Sequence, residues 1–229
     1  KKVKGHIRSR RIEEILENIR HVDHCTKNIF LVAEDCGSYG VDMQTNFPEL
    51  LVRIHQRYPQ ATLDINNINP YWLETQPEDY IKLFTETRID FALIPLQSGS
   101  KKIIIQMNRR YDPKKVLPVI DQIKNISPTS FLYTHFIVGF PGENIVDFLK
   151  TVAAVHHFDY SIPFKYSPHM ETPSASFPHQ KSNIVKSLRY IVLMFVINIV
   201  IFTKLLKRPF SHQGKVVGQV RIEQANSAL

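Results

Sequence analysis

The sequence is poor in cysteine. Its 229 residues hold only Cys25 and Cys36. Their spacing matches no common zinc or iron–sulfur signature, so they read as a reduced cytosolic pair. No secretory leader is expected either: Lys1, Lys2 and Lys4 open the sequence, but no apolar stretch follows them. No repeat or low-complexity tract stands out. Acidic residues are outnumbered, 21 against 29 Lys and Arg, giving a net charge of +8 and a pI near 9.4. That surplus suits a polyanion such as RNA or an anionic membrane surface, and does not separate the two. What remains is globular in composition, 43% hydrophobic and 22% charged, with room for one large domain or a domain and a tail. The first residue is Lys rather than Met, so the expectation is a piece of a longer chain.

Helical and strand patterns alternate. Ile12, Ile15, Leu16 and Ile19 fall at helical spacing over residues 11–24, and a short apolar strand follows at 28–33. Residues 46–58 read as a helix with Asn46 as cap, Pro48 in its first turn and Leu50, Leu51 and Ile54 facing inward. Strands are expected at 61–65, 91–96, 131–138 and 160–166, with helices at 77–87, 112–125 and 144–158. Five such alternations argue for a parallel sheet with crossover helices. Its ligand site would then lie at the carboxyl ends of the strands.

One stretch organises the rest. Thr134-His135-Phe136-Ile137-Val138-Gly139-Phe140-Pro141-Gly142-Glu143 runs from an apolar strand through a glycine turn into a helix. Glycines there let a flat ligand approach the backbone, or simply turn the chain. Upstream stand Leu96-Gln97-Ser98-Gly99-Ser100, Met107-Asn108-Arg109-Arg110-Tyr111 and Glu34-Asp35-Cys36-Gly37-Ser38-Tyr39-Gly40. Downstream stand Phe164-Lys165-Tyr166-Ser167-Pro168 and Thr172-Pro173-Ser174-Ala175. In this order and spacing they resemble the radical S-adenosylmethionine (SAM) methylthiotransferases. The nearest resemblance is to the branch acting on threonylcarbamoyladenosine in tRNA. It covers about Lys4 to Ala175.

The resemblance implies an α/β fold, a partial (β/α)6 barrel whose first strand is missing, with a C-terminal apolar helix. It also implies two uses of SAM: one methylates a sulfur, and the other yields a 5′-deoxyadenosyl radical that activates a base carbon. The expected cofactors are SAM and a [4Fe–4S] cluster, whose three cysteines would lie upstream of Lys1, so no metal ligand is assigned in this chain. As it stands, the chain is expected to be inactive alone.

Glu34 is the candidate for the SAM ammonium; a solvent-facing loop carboxylate is the plainer role. Asn66, Gln97 and Ser98 are candidates for the ribose hydroxyls or the carboxylate, with turn stabilisation as the alternative, and Thr134 is a further candidate for cofactor binding. Val138, Gly139 and Phe140 would line the adenine, or pack the core, and Tyr166 would stack on it or cap the barrel. His135 departs from the family, which favours an acidic residue there, and reads as a core-edge histidine. His169 stands where the family favours an arginine. Lys4, Arg8, Arg10, Arg109 and Arg110 are the candidates for contact with tRNA.

Residues 1–175 form the expected barrel, 176–208 a linker and apolar helix, and 209–229 a tail. The tail faintly resembles the last strand of a small RNA-binding barrel. The apolar run from Ile191 to Phe202 is short for a bilayer span of about 20 residues. It reads either as a helix closing the barrel or as a membrane segment, so the protein is expected in the cytoplasm with or without membrane association. No protein partner is inferred. A second functional reading stays open: a cluster-free, degenerate barrel that binds nucleotide or RNA without catalysis.

Overall fold

The computed structural model describes residues 7–21, 28–169, 172–207 and 217–225. In chain order the elements are β1 (Ile7–Ser9), α1 (Ile12–His21), β2 (Asn28–Val32), α2 (Phe47–Arg57), β3 (Thr62–Asn66), α3 (Pro70–Thr75), α4 (Pro77–Glu86) and β4 (Ile89–Leu93). Then follow α5 (Lys101–Gln106), α6 (Pro113–Ile126), β5 (Phe131–Val138), α7 (Ile145–Ala154), β6 (Tyr160–Lys165), α8 (Asn183–Lys207), β7 (Val217–Arg221) and β8 (Glu223–Ala225). Six strands form one parallel sheet in the order β6-β5-β4-β3-β2-β7. The five expected strand–helix alternations are therefore present, curved into a partial barrel.

Local chemistry sets the boundaries. Asn46 accepts from the Glu49 amide at 2.9 Å and so starts α2. Asn144 and Asp147 cap one another's backbone at the start of α7. β5 alternates buried and half-buried side chains along its whole length, with Phe136 fully buried on the core side. The core is continuous between sheet and helices, and Phe47, Tyr80, Phe136 and Phe158 are its largest fully buried side chains.

Three differences from expectation have local causes. β4 starts two residues early and ends at Leu93, because the chain then leaves the ladder: the Leu96 amide donates to the Thr134 hydroxyl at 2.9 Å instead of to a backbone. Helices α3 and α5 are each six residues, too short to show a helical period. The edge of β2, expected to be open, is taken by β7 in parallel register, Asn28 against Val217 through Val32 against Arg221. Val217–Arg221 is thus part of the main sheet rather than a remnant of a separate barrel, and β8 pairs antiparallel with β1.

α8 extends well beyond the apolar run on both sides and packs along β6 and the turn after α7. Lys4 and Cys25 lie outside the described residues.

Candidate functional site

The carboxyl ends of β2 to β6 open on one face, and the loops leaving them are tied together by side chains. After β2, the Asp35 carboxylate accepts from the Gly37 amide (3.1 Å), the Asn69 amide (3.1 Å) and the Trp72 indole (2.9 Å). Burial pushes this carboxyl up, and the three donors oppose the shift. A Cβ on Gly37 would sit 2.2 Å from the Trp72 ring, so the indole requires glycine there. Asn67, with φ of 68°, donates from its amide to the Glu34 carbonyl. Cys36 is fully buried, and its thiol donates to the Asn66 carbonyl at 2.7 Å.

After β4, Gln97 is held at φ of 62°, an unusual conformation for this residue type. Its amide donates to the His135 carbonyl, and its carbonyl accepts from the Ile137 amide, both at 2.8 Å. The strained residue thus stitches the end of β4 to β5. The next three residues dock on α7. Ser98 and Thr151 share a hydroxyl contact at 3.2 Å, the Gly99 amide donates to Thr151 at 3.0 Å, and the Ser100 hydroxyl donates to Asp147 at 2.7 Å.

After β5, the Gly139 amide donates to the Glu143 carboxylate at 2.8 Å. Glu143 is fully buried and paired with Arg189 of α8. Burial pushes its carboxyl up, opposed by the Gly139 amide and the Arg189 charge. After β6, Tyr166 meets Phe140 edge-on at 5.0 Å between centroids, and the Lys186 ammonium lies 5.2 Å over its ring.

The structure sorts the expected residues into groups. Val138, Gly139, Phe140 and Tyr166 come together, but Lys186 of α8 lies over them: a Cβ on Gly139 would be 2.6 Å from its Cγ. The hydroxyls of Ser98 and Thr134 are engaged inside the fold and the side chains are fully buried, which corrects their reading as cofactor ligands. The Gln97 side chain is also buried. Asn66 is half-buried beside Cys36. Glu34 is exposed and, with Arg8, Asp35, Tyr39, Asp42 and Ile222, lines a cavity of about 450 Å³.

Arg10 is half-buried with its guanidinium 4.0 Å from Glu14, and Arg8 lies on the wall of the cavity at Glu34. Arg109 and Arg110 share a second cavity of about 530 Å³ with Asp35, Asn69, Tyr71 and Trp72. Sequence reasoning missed Trp72 and Tyr71. The only signal for them was the Asn69-Pro70 helix start just after a strand. His135 is a half-buried edge histidine between Tyr133 and Phe164, and burial pushes its pKa down.

An iron–sulfur cluster needs three thiolates. Among the described residues no three metal-ligating side chains converge, and the Cys36 thiol is closed in by Leu31 and Asn66 carbonyls. These residues do not fit such a cluster. The cavity at Glu34 carries the carboxylates of Glu34, Asp35 and Asp42 and the Arg8 guanidinium on its wall.

The sequence model of the Radical SAM superfamily matches residues 1–155. A tRNA-2-methylthio-N(6)-dimethylallyladenosine synthase of Clostridium botulinum (strain Langeland / NCTC 10281 / Type F) is 33% identical over 221 residues, 93% of this chain and 48% of its own length. A synthase of the same name from Sulfurihydrogenibium sp. is 33% identical over 97% of this chain and 51% of its own. The threonylcarbamoyladenosine tRNA methylthiotransferase of Danio rerio is 29% identical over 81% of this chain and 35% of its own. Among solved structures, the radical SAM enzyme coproporphyrinogen III oxidase from Escherichia coli matches 85% of this chain and 56% of its own, with 14% identity and a TM-score of 0.43. The chain spans about half the length of the curated relatives it matches.

Proposed function

The chain belongs to the radical SAM superfamily, and from that premise we propose that it is the barrel portion of a methylthiotransferase acting on a modified adenosine of tRNA. The observation that carries this reading is that methylthiotransferases of two substrate types match across 81–97% of the chain. The site supports it in two ways. Glu34 would take the ammonium of SAM and Arg8 its carboxylate, in the cavity they share. The other cavity joins two guanidiniums to the Tyr71 and Trp72 rings, which stand edge to face at 5.1 Å. Arginine for phosphate and an aromatic face for a base are the parts of a single-stranded RNA site. SAM would supply a methyl group or, with an external cluster, a 5′-deoxyadenosyl radical. The residues described here bind and orient.

Titration calorimetry with SAM and anisotropy with a fluorescent anticodon stem-loop test the reading. Glu34→Gln is expected to weaken SAM at least tenfold, about 1.4 kcal/mol, and Arg109→Ala with Arg110→Ala to weaken the RNA by a similar factor with a shallower salt dependence. Unchanged affinities in both variants would remove the reading.

The cavity of Arg109, Arg110, Tyr71 and Trp72 would serve equally in a second reading, a nucleotide- or RNA-binding barrel without catalysis. Anaerobic reconstitution with iron and sulfide, followed by assay for 5′-deoxyadenosine, separates the two.

A further inference from the structure

The outer helix is built inside out. A helix packed on a soluble domain turns its apolar side to the core and its charges to water. Along α8 the charges of Lys186, Arg189 and Lys204 face the protein. Lys186 is 7% exposed beneath Tyr166 and Gly139, Arg189 pairs with buried Glu143, and the Lys204 ammonium donates to the His156 carbonyl at 3.1 Å and to the Phe158 carbonyl. Leu193 and Ile197 are also buried on that side. The outward side carries Ile184, Leu188, Ile191, Phe195, Phe202 and Leu206, each 61–81% exposed. Their spacing keeps them in one stripe down a helix about 37 Å long. An 18-residue stretch within Asn183–Leu206 has a mean hydropathy of 2.1, and a continuous apolar stripe of this length marks an interaction surface rather than scattered surface residues.

Charge indicates what covers it. From Thr172 to Ile222 the sequence holds eight Lys and Arg and no Asp or Glu. Those eight equal the chain's net charge of +8, leaving 21 basic residues against 21 acidic elsewhere. In sequence the cationic surplus therefore falls in the segment that bears the stripe; Lys186, Arg189 and Lys204 set their charge against the protein, and the other five of the eight flank the helix or end it. Exposed Lys165, whose ammonium lies 5.9 Å over the Tyr190 ring, adds a positive charge beside the helix. A second copy docking stripe to stripe would bring two segments together with no acidic residue in either. An anionic lipid surface meets both the apolar stripe and the charge.

We propose that α8 lies flat in the surface of an anionic phospholipid bilayer, its stripe among the acyl chains and the lysines beside it, Lys165 and Lys181 among them, against the headgroups. By length and composition the helix is also sufficient to cross a membrane. Crossing, however, would break the Arg189–Glu143 pair and uncover Leu193 and Ile197.

The test is co-sedimentation of the full chain with vesicles of phosphatidylcholine alone or with one third phosphatidylserine. Strong binding to the anionic vesicles, weak binding to the neutral ones and release by salt are expected. Phe195→Trp should show a blue-shifted emission, taken as the difference from wild type, and be quenched by brominated acyl chains. Leu188→Asp with Phe195→Asp should reduce binding at least tenfold while leaving the melting temperature in place, since both side chains point outward. Four results would overturn the proposal: no sedimentation with either vesicle, equal binding to both, resistance to alkaline carbonate extraction, or a stable dimer in light scattering that Phe195→Asp dissolves.

Discussion

Replacing Arg189 by methionine isolates one buried charge. Glu143 is fully buried; one oxygen accepts from the Gly139 amide and from Arg189, and the other accepts no hydrogen bond among the described residues. Arg189 is itself only 12% exposed, so solvent screens the pair little. Its guanidinium also lies 5.6 Å over the Phe148 ring, a packing contact that methionine retains in part. Removing one partner of a buried pair costs about 3–5 kcal/mol. The carboxyl can escape by taking a proton, and each pH unit it must be held below its pKa is worth about 1.4 kcal/mol.

Burial already raises the Glu143 pKa above its ordinary 4.5, and losing Arg189 raises it further. A group raised in the folded state contributes stability below its unfolded pKa, and loses it as pH rises through the folded pKa. Arg189→Met should therefore cost about 3 kcal/mol near pH 8 and at least about 1 kcal/mol less near pH 5. Urea denaturation followed by circular dichroism measures both. Adding Glu143→Gln should recover most of the loss near pH 8. A cost below about 1 kcal/mol, the value of an exposed ion pair, or one indifferent to pH, would refute the argument.

Gly99→Ala would place a Cβ 2.1 Å from the Lys150 carbonyl oxygen, so α7 and the Gln97–Ser100 turn must part; a loss of about 1–3 kcal/mol is expected in calorimetry, and an unchanged melting temperature would contradict that close approach. Thr134→Val removes the acceptor of the buried Leu96 amide and should cost about 1–3 kcal/mol with SAM affinity unchanged; the opposite pattern would restore Thr134 as a ligand. Burial raises the Asp147 pKa, but Lys102, the Asn144 amide and the Ser100 hydroxyl together hold it below its ordinary 3.8. Stability from that depression is present above 3.8 and lost as pH falls through the lower folded value, so acid unfolding should be shallower in Asp147→Asn.

The sheet was legible because its signals are local. β5 alternates over eight residues and ends on glycine, and Asn46 and Asn144 cap the helices that follow them. The site was legible only as a set of loops. A hydroxyl at a strand end looks the same in sequence whether it faces a ligand or, as with Ser98 and Thr134, a neighbouring helix or backbone. The Glu143–Arg189 pair joins residues 46 apart, and no local pattern announces it. The apolar run from Ile191 to Phe202 announced a helix but not its orientation, which depends on Lys186, Arg189 and Lys204 outside the run.

The parallel pairing of β7 with β2 fixes an order of events during synthesis. Asn28 and Val217 lie 189 residues apart, whereas Asn28 and Thr62, its partner on the other side, lie 34 apart. Closing the longer loop costs about 1.5 kcal/mol more, and β7 leaves the ribosome after β2 to β6. The strands from β2 to β6 are complete while the outer edge of β2 still shows its unpaired amides and carbonyls. During that interval the nascent sheet can recruit a strand from a neighbouring chain. Translation speed between β6 and β7 should therefore govern the yield of monomer.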